Sequence, residues 1–244
     1  MKRRRRVAIY GGTFDPVHVG HAAVARNLVE LFALNELLFV PAYVAPHKRD
    51  RKVSPALHRY AMLALATQGE ERCRVSAVEL EAPERPYTVN TLAGFLEGAG
   101  ESARLFFVMG ADSWEEITTW REWERVLTLT DHLVVTRPGY ELETGHVTAE
   151  IRGRVSDLRG ASRERVERAL EESGNLTRIY LTDAARVEAA ATDIREAVRR
   201  ESMEGAARLD ALVAPPVAEY IRKYGLYREA NGRELSDAGI RREH

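Results

Sequence analysis

Two histidines, His18 and His21, stand three residues apart just after a glycine pair, Gly11-Gly12, and the hydroxyl of Thr13. Residues at i and i+3 share one face of a helix, so both imidazoles can point the same way from a first helical turn. That turn also carries unsatisfied N–H groups and the positive end of the helix dipole, which favour an anion. Glycines ahead of it let the backbone approach something bulky. The chemistry these types permit is phosphate binding. On the residues alone, the pair could equally hold a metal or decorate a helix surface. A metal reading lacks a third ligand nearby in sequence, and no protein metal site is assigned.

The positioning elements follow from periodicity. Residues 7–10 are an apolar run ended by glycine, a buried strand, and the apolar spacing through Ala22, Ala25, Leu28, Val29 and Phe32 is helical, to about Leu34. A second apolar run at 37–40 completes a strand–helix–strand unit. Further strands are expected at 72–78, 104–109, 132–136 and 178–182. Helices are expected at 55–67, with Ser54 as cap and Pro55 first, into Leu96 with Thr88 as a candidate cap, and at 189–200. The expected fold is α/β, a Rossmann-like doubly wound parallel sheet with helices on both faces. In such sheets ligands bind beyond the carboxyl ends of the strands.

Several further candidates leave from those ends. Residues 41–52 form a basic, proline-punctuated loop carrying His47 and Lys48, read as bringing cations over the anion site. Asp112, after Gly110, is placed to accept from ribose hydroxyls or to cap a helix. Arg137 follows the fifth strand and could pair with a carboxylate or reach a phosphate. Trp114, Trp120 and Trp123 cluster, and Trp123 is read as a core residue.

Composition narrows the class. The chain has 244 residues, 45% hydrophobic and 30% charged, with a formal net charge of -1. That suits one α/β domain over 1–227 with a polar tail at 228–244, and it argues against nucleic acid as a partner. Residues 140–176 are charged and poor in large apolar side chains, and are expected to be a surface excursion. Lys2 to Arg6 read as a solvated start to the first strand. Cys73 is the only cysteine, which excludes an internal disulfide and points to a reducing, cytoplasmic compartment. No secretory signal or membrane-spanning run is read.

The whole string Gly11-Gly12-Thr13-Phe14-Asp15-Pro16-Val17-His18-Val19-Gly20-His21 resembles the HxGH signature of the nucleotidylyltransferase superfamily, in the form carried by bacterial nicotinate-mononucleotide adenylyltransferases. Similar segments recur along the chain: Pro41-Ala42 through Pro46-His47-Lys48, Tyr87-Thr88 through Thr91-Leu92, Gly110 with Asp112, Thr119-Trp120, Arg137-Pro138-Gly139, Thr192 with Ile194-Arg195, and Pro215-Pro216-Val217 onward. The resemblance implies transfer of AMP from ATP to nicotinate mononucleotide by direct in-line attack, with Mg²⁺ accompanying ATP. It implies that His18, His21, Lys48 and Arg195 carry the chemistry. Gly11, Gly12, Thr13, Phe14, Gly110, Asp112, Arg137 and Thr192 would meet ATP. His47, Lys48, Thr88 and Trp120 would meet the mononucleotide, with the indole stacked on the pyridine ring for about 1 kcal/mol beyond its buried area.

The chain departs from the family pattern at two places. Asn90 stands where aspartate is usual, and Ala190 and Ala191 replace two serines. Backbone N–H donors survive the second change. The lost hydroxyls would cost about 0.5–1.5 kcal/mol each if they bound phosphate. Alternatives kept open are a nicotinamide or phosphopantetheine substrate within the superfamily and a nucleotide-binding regulator with impaired turnover. Homo-oligomerisation is also open.

Overall fold

The computed structural model describes residues 4–43, 53–82, 86–137, 140–185, 187, 189–200 and 202–228. Its centre is a sheet of seven parallel strands: β1 (Arg5–Gly12), β2 (Glu36–Pro41), β3 (Cys73–Val75), β4 (Ala103–Gly110), β5 (Asp131–Val135), β6 (Val155–Asp157) and β7 (Ile179–Thr182). Their spatial order is β3-β2-β1-β4-β5-β7-β6. The order reverses between β1 and β4, and a crevice opens there at the carboxyl ends. The expected doubly wound sheet is therefore present.

Side-chain alternation along the strands separates two cores. Ala8, Phe106 and Val108 face one side, where α1 (Val19–Leu31), α2 (Ala56–Ala66), α7 (Arg163–Glu172), α8 (Ala191–Arg199), α9 (Met203–Leu212) and α10 (Pro215–Tyr224) bury their apolar stripes. Val7, Ile9, Phe107 and Met109 face the other, against α3 (Thr88–Ala99), α4 (Ala111–Glu115), α5 (Trp123–Leu129) and α6 (Ala149–Arg152). Period-2 burial on strands and period-3.6 burial on helices are what let one sequence cover both faces.

Several local expectations change. Helix α1 stops at Leu31, because Ala33 adopts a left-handed φ of 46° and turns the chain into β2. Pro55, not Ser54, occupies the cap of α2, without a side-chain bond, and Ser54 donates its N–H to Asp15 Oδ2 at 3.2 Å. The third strand is only Cys73–Val75, because residues 77–81 coil into a turn held by Ala77 O. Thr88 is the first residue of α3, and Tyr87 holds the cap position. Among the tryptophans Trp114 is the core residue, fully buried with Nε1–H donating to Glu143 O at 2.9 Å, while Trp123 is only partly covered.

The segment 140–176 is part of the body, not a surface excursion. It supplies edge strand β6 and helix α7, and buries Val147, Ile151, Leu158, Val166 and Leu170. On α7 the buried Val166 and Leu170 form one apolar stripe of an otherwise charged helix, so mean composition hid them. The same helix explains Arg6. Rather than lying in solvent, Arg6 is buried and forms a two-pronged pair with Glu167, at 2.6 and 2.8 Å, and donates to Phe32 O. A guanidinium buried at the start of β1 is tolerated because this fork neutralises it.

Candidate functional site

An open cleft of about 1890 Å³ lies over the carboxyl ends of β1 and β4. Pockets for single drug-sized ligands run to roughly 300–1,000 Å³, so the space suits more than one small molecule. Its walls include Gly11, Gly12, Thr13, Phe14, His18, His21, Thr88, Gly110, Asp112, Trp120, Thr192 and Arg195. These come from five stretches far apart in sequence.

The floor is built by the turn between β1 and α1. Phe14 takes a left-handed φ of 49° and folds its ring back into the core, edge-on to Tyr10, His21 and Phe39 at 5.0–5.5 Å. A side chain on Gly12 would meet that ring at 2.8 Å, so glycine is required there. Phe14 was expected to meet ATP. Its ring is buried in the core instead.

His18 is the N-cap of α1 and His21 its third residue. The His21 N–H donates to His18 Nδ1 at 3.4 Å, and the His18 N–H donates to His21 Nδ1 at 3.3 Å. This is a capping box made of two imidazoles, with the rings stacked at 3.7 Å. The expectation of open helix N–H groups is corrected here, since two of them are taken by the rings. The consequence is a fixed tautomer. An Nδ1 that accepts carries no proton, so a neutral ring bears its proton on Nε2 and presents a donor. Burial pushes the His18 pKa down to about 4, which keeps that ring neutral near pH 7. Gly20 makes room, for a Cβ there would stand 3.0 Å from His18 Nδ1.

Across the crevice, Gly110 caps α4 and Asp112 lies in its first turn, with Oδ1 accepting from the Ser113 N–H at 2.8 Å. Asp112 is thus not the cap. Trp120 packs edge-on against Phe107 at 6.3 Å and shares its wall with Thr88. Asn90, in the next position but one after Thr88, is exposed. On the third wall Ala190 caps α8 without a side-chain bond. Arg195 reaches over the floor, donating to Asp15 O at 2.6 Å and to Thr192 Oγ1 at 3.2 Å. Arg137 is exposed beyond β5 and is not among the residues lining the cleft. His47 and Lys48 lie outside the described residues.

The cytidylyltransferase-like family model matches residues 9–197. A protein of Thermoanaerobacter sp. (strain X514), named "Probable nicotinate-nucleotide adenylyltransferase", is 35% identical over 95% of this chain and 100% of its own length. One of the same name from Corynebacterium glutamicum is 34% identical over 98% of this chain and 96% of its own. The chain belongs to the nicotinate-nucleotide adenylyltransferase family. The family's fold extends further in structure than in sequence. The nicotinic acid mononucleotide adenylyltransferase of Plasmodium falciparum, solved with APC, superposes with a TM-score of 0.66 at 17% identity, covering 92% of this chain and 98% of its own. The same enzyme solved with NaAD gives a TM-score of 0.66 at 18% identity.

For this family member, two residues lining the cleft and one behind it were missed by reading the sequence. Glu79 was taken as part of a polar link. Its half-buried carboxylate accepts from Thr91 Oγ1 at 2.8 Å, and desolvation raises its pKa. Tyr227 donates its hydroxyl to Asp15 Oδ1 at 2.7 Å, which ties the chain's far end to the floor. Arg59 lies beneath that floor and donates to three backbone carbonyls. None of these contacts has a local signal, since each partner lies at least five residues away. No helix among the described residues is long and apolar enough to cross a membrane.

Proposed function

We propose that the chain joins nicotinate mononucleotide to the AMP part of ATP, giving nicotinate adenine dinucleotide and pyrophosphate. One observation carries the reading: two stacked imidazoles with Nδ1 engaged, presented at the crevice where the strand order reverses. A mononucleotide phosphate oxygen is anionic near neutral pH and needs no protein base. It attacks the α-phosphorus of ATP in line, the new P–O bond forms, and the bond to the bridging oxygen of pyrophosphate breaks. The protein's tasks are to hold two repelling anions together and to stabilise charge on the transferring and leaving groups.

His18 and His21 donate from Nε2 to the ATP phosphates, His21 nearer the α-phosphate. Thr13, Thr192 and Arg195 hold the triphosphate. The backbone of Gly11, Gly12 and Phe14 lines its path, and Gly110 and Asp112 meet the adenosine half. Thr88 and Trp120 read the pyridine half, while Lys48 and His47 steady the attacking phosphate. Mg²⁺ accompanying ATP would offset phosphate charge, and no side chain of this chain is assigned to hold it. The reaction belongs to the cytoplasm, as the single cysteine suggests.

The test is pyrophosphate release from ATP with nicotinate mononucleotide or with its amide, compared by kcat/KM. The acid form should be clearly preferred. Preference for the amide overturns the substrate assignment. ATP binding without release in either reaction makes the chain a nucleotide-binding regulator instead.

A further inference from the structure

Arg59 is the most deeply buried cation of the cleft region, at 1% exposure. Its three nitrogen positions go to three different carbonyls: Nε to Ser54 O at 3.0 Å, Nη1 to Thr13 O at 2.8 Å and Nη2 to Tyr43 O at 3.1 Å. Thr13 and Ser54 line the cleft. The carboxylates of Asp15 and Glu79 favour its charge, against the burial that disfavours it. Asp15 accepts in turn from Ser54 N–H and the Tyr227 hydroxyl. A guanidinium fork is suited to this task, because an ammonium on a single point cannot span three fixed acceptors.

The bond to Thr13 has a further consequence. The Thr13–Phe14 peptide precedes a phenylalanine with φ of 49°, a left-handed conformation that a bulky L-residue resists. Something must hold it. In a planar trans peptide the C=O and the following N–H point in opposite directions. Fixing Thr13 C=O onto Arg59 therefore sends the Phe14 N–H the other way, away from the guanidinium.

We propose that Arg59 is a positioning residue, which holds the Thr13–Phe14 peptide so that the Phe14 N–H faces the cleft as a donor to the nucleotide's phosphates. The identity of that anion rests on the proposed function. Arg59 touches no substrate itself. Its effect reaches the ligand only through the backbone it orients, and so falls on the phosphate-bearing part of the nucleotide.

The experiment compares intact wild-type protein with Arg59→Lys and Arg59→Gln. Each is titrated with ATP and with adenosine, and turnover of ATP with nicotinate mononucleotide is measured alongside. ATP affinity should fall about tenfold or more while adenosine affinity changes by less than about twofold, as expected for loss of a hydrogen bond to a charged group. A single folded variant of the two is enough to decide. Unchanged ATP affinity in a folded variant overturns the proposal. So does an equal loss for ATP and adenosine, which is general loosening of the fold. A wild-type protein that binds ATP but does not turn it over with nicotinate mononucleotide refutes the proposed reaction instead, and the contrast between ATP and adenosine still decides the role of Arg59.

Discussion

Replacing His18 separates two roles that the structure superimposes on one ring. His18 Nδ1 caps α1 by accepting from the His21 N–H, and its Nε2 side supplies the donor assigned to the ATP phosphates. His18→Ala removes both. Losing a side-chain N-cap costs about 0.5–2 kcal/mol. The 3.4 Å bond is long, which places this cap at the low end, about 0.5–1 kcal/mol. For a chain of this size that lowers Tm by roughly 1–4 °C. His18→Asn behaves differently. Asparagine is among the best N-caps, so its Oδ1 restores the bond and Tm should stay near wild type. Asparagine cannot place a donor where Nε2 stood. Removing one donor to developing charge costs about 2.7–4 kcal/mol, or roughly 10²–10³ in kcat. Both variants should therefore lose activity alike while only the alanine variant loses stability. Calorimetry and pyrophosphate release measure the two quantities independently. If His18→Asn recovers kcat together with Tm, the ring is a cap alone and the donor assignment is wrong.

Acid should destabilise the protein in a defined window. His18 and His132 are both held down to about pH 4 by burial, against an ordinary value of about 6.5. Above pH 6.5 both are neutral, folded or unfolded. As pH falls from 6.5 toward 4 the unfolded chain binds two protons that the folded chain refuses, so stability falls by up to about 2.7 kcal/mol per pH unit. Urea midpoints across that range measure the slope, and His132→Phe should remove about half of it; an identical slope in the variant contradicts the assignment. Ala190→Ser restores a hydroxyl at the bare cap of α8, which should add about 1 kcal/mol and 2–4 °C to Tm, read by calorimetry. In the proposed reaction it should also lower the KM for ATP, and a serine variant no more stable than wild type would mean the cap hydroxyl makes no bond.

Much of the site was legible because its chemistry is local. The glycine pair, the i, i+3 histidines and the apolar run behind them all act within sixteen residues, and each acts through backbone rules that depend on neighbours in the chain. The sheet was legible for the same reason, since buried parallel strands read as continuous apolar runs. Boundaries shifted by one residue at each end of α2 and by more at β3, where residues 77–81 turn instead of continuing the strand. The two rings took helix amides expected to face a ligand, a local pairing that the residue types did not announce.

The order and types of residues alone determined a doubly wound sheet and a glycine-histidine turn at its crevice, and pointed to several of the side chains that line the cleft, His18, His21, Trp120 and Arg195 among them. Only the tertiary structure decided that Trp114 and not Trp123 fills the core, that residues 140–176 complete the sheet, and that Arg6 and Arg59 are buried. The physical reason is range. Propensity and periodicity act over a turn or a strand, whereas burying a charge depends on partners such as Glu167, 161 residues away from Arg6, which nothing in the local chain can announce.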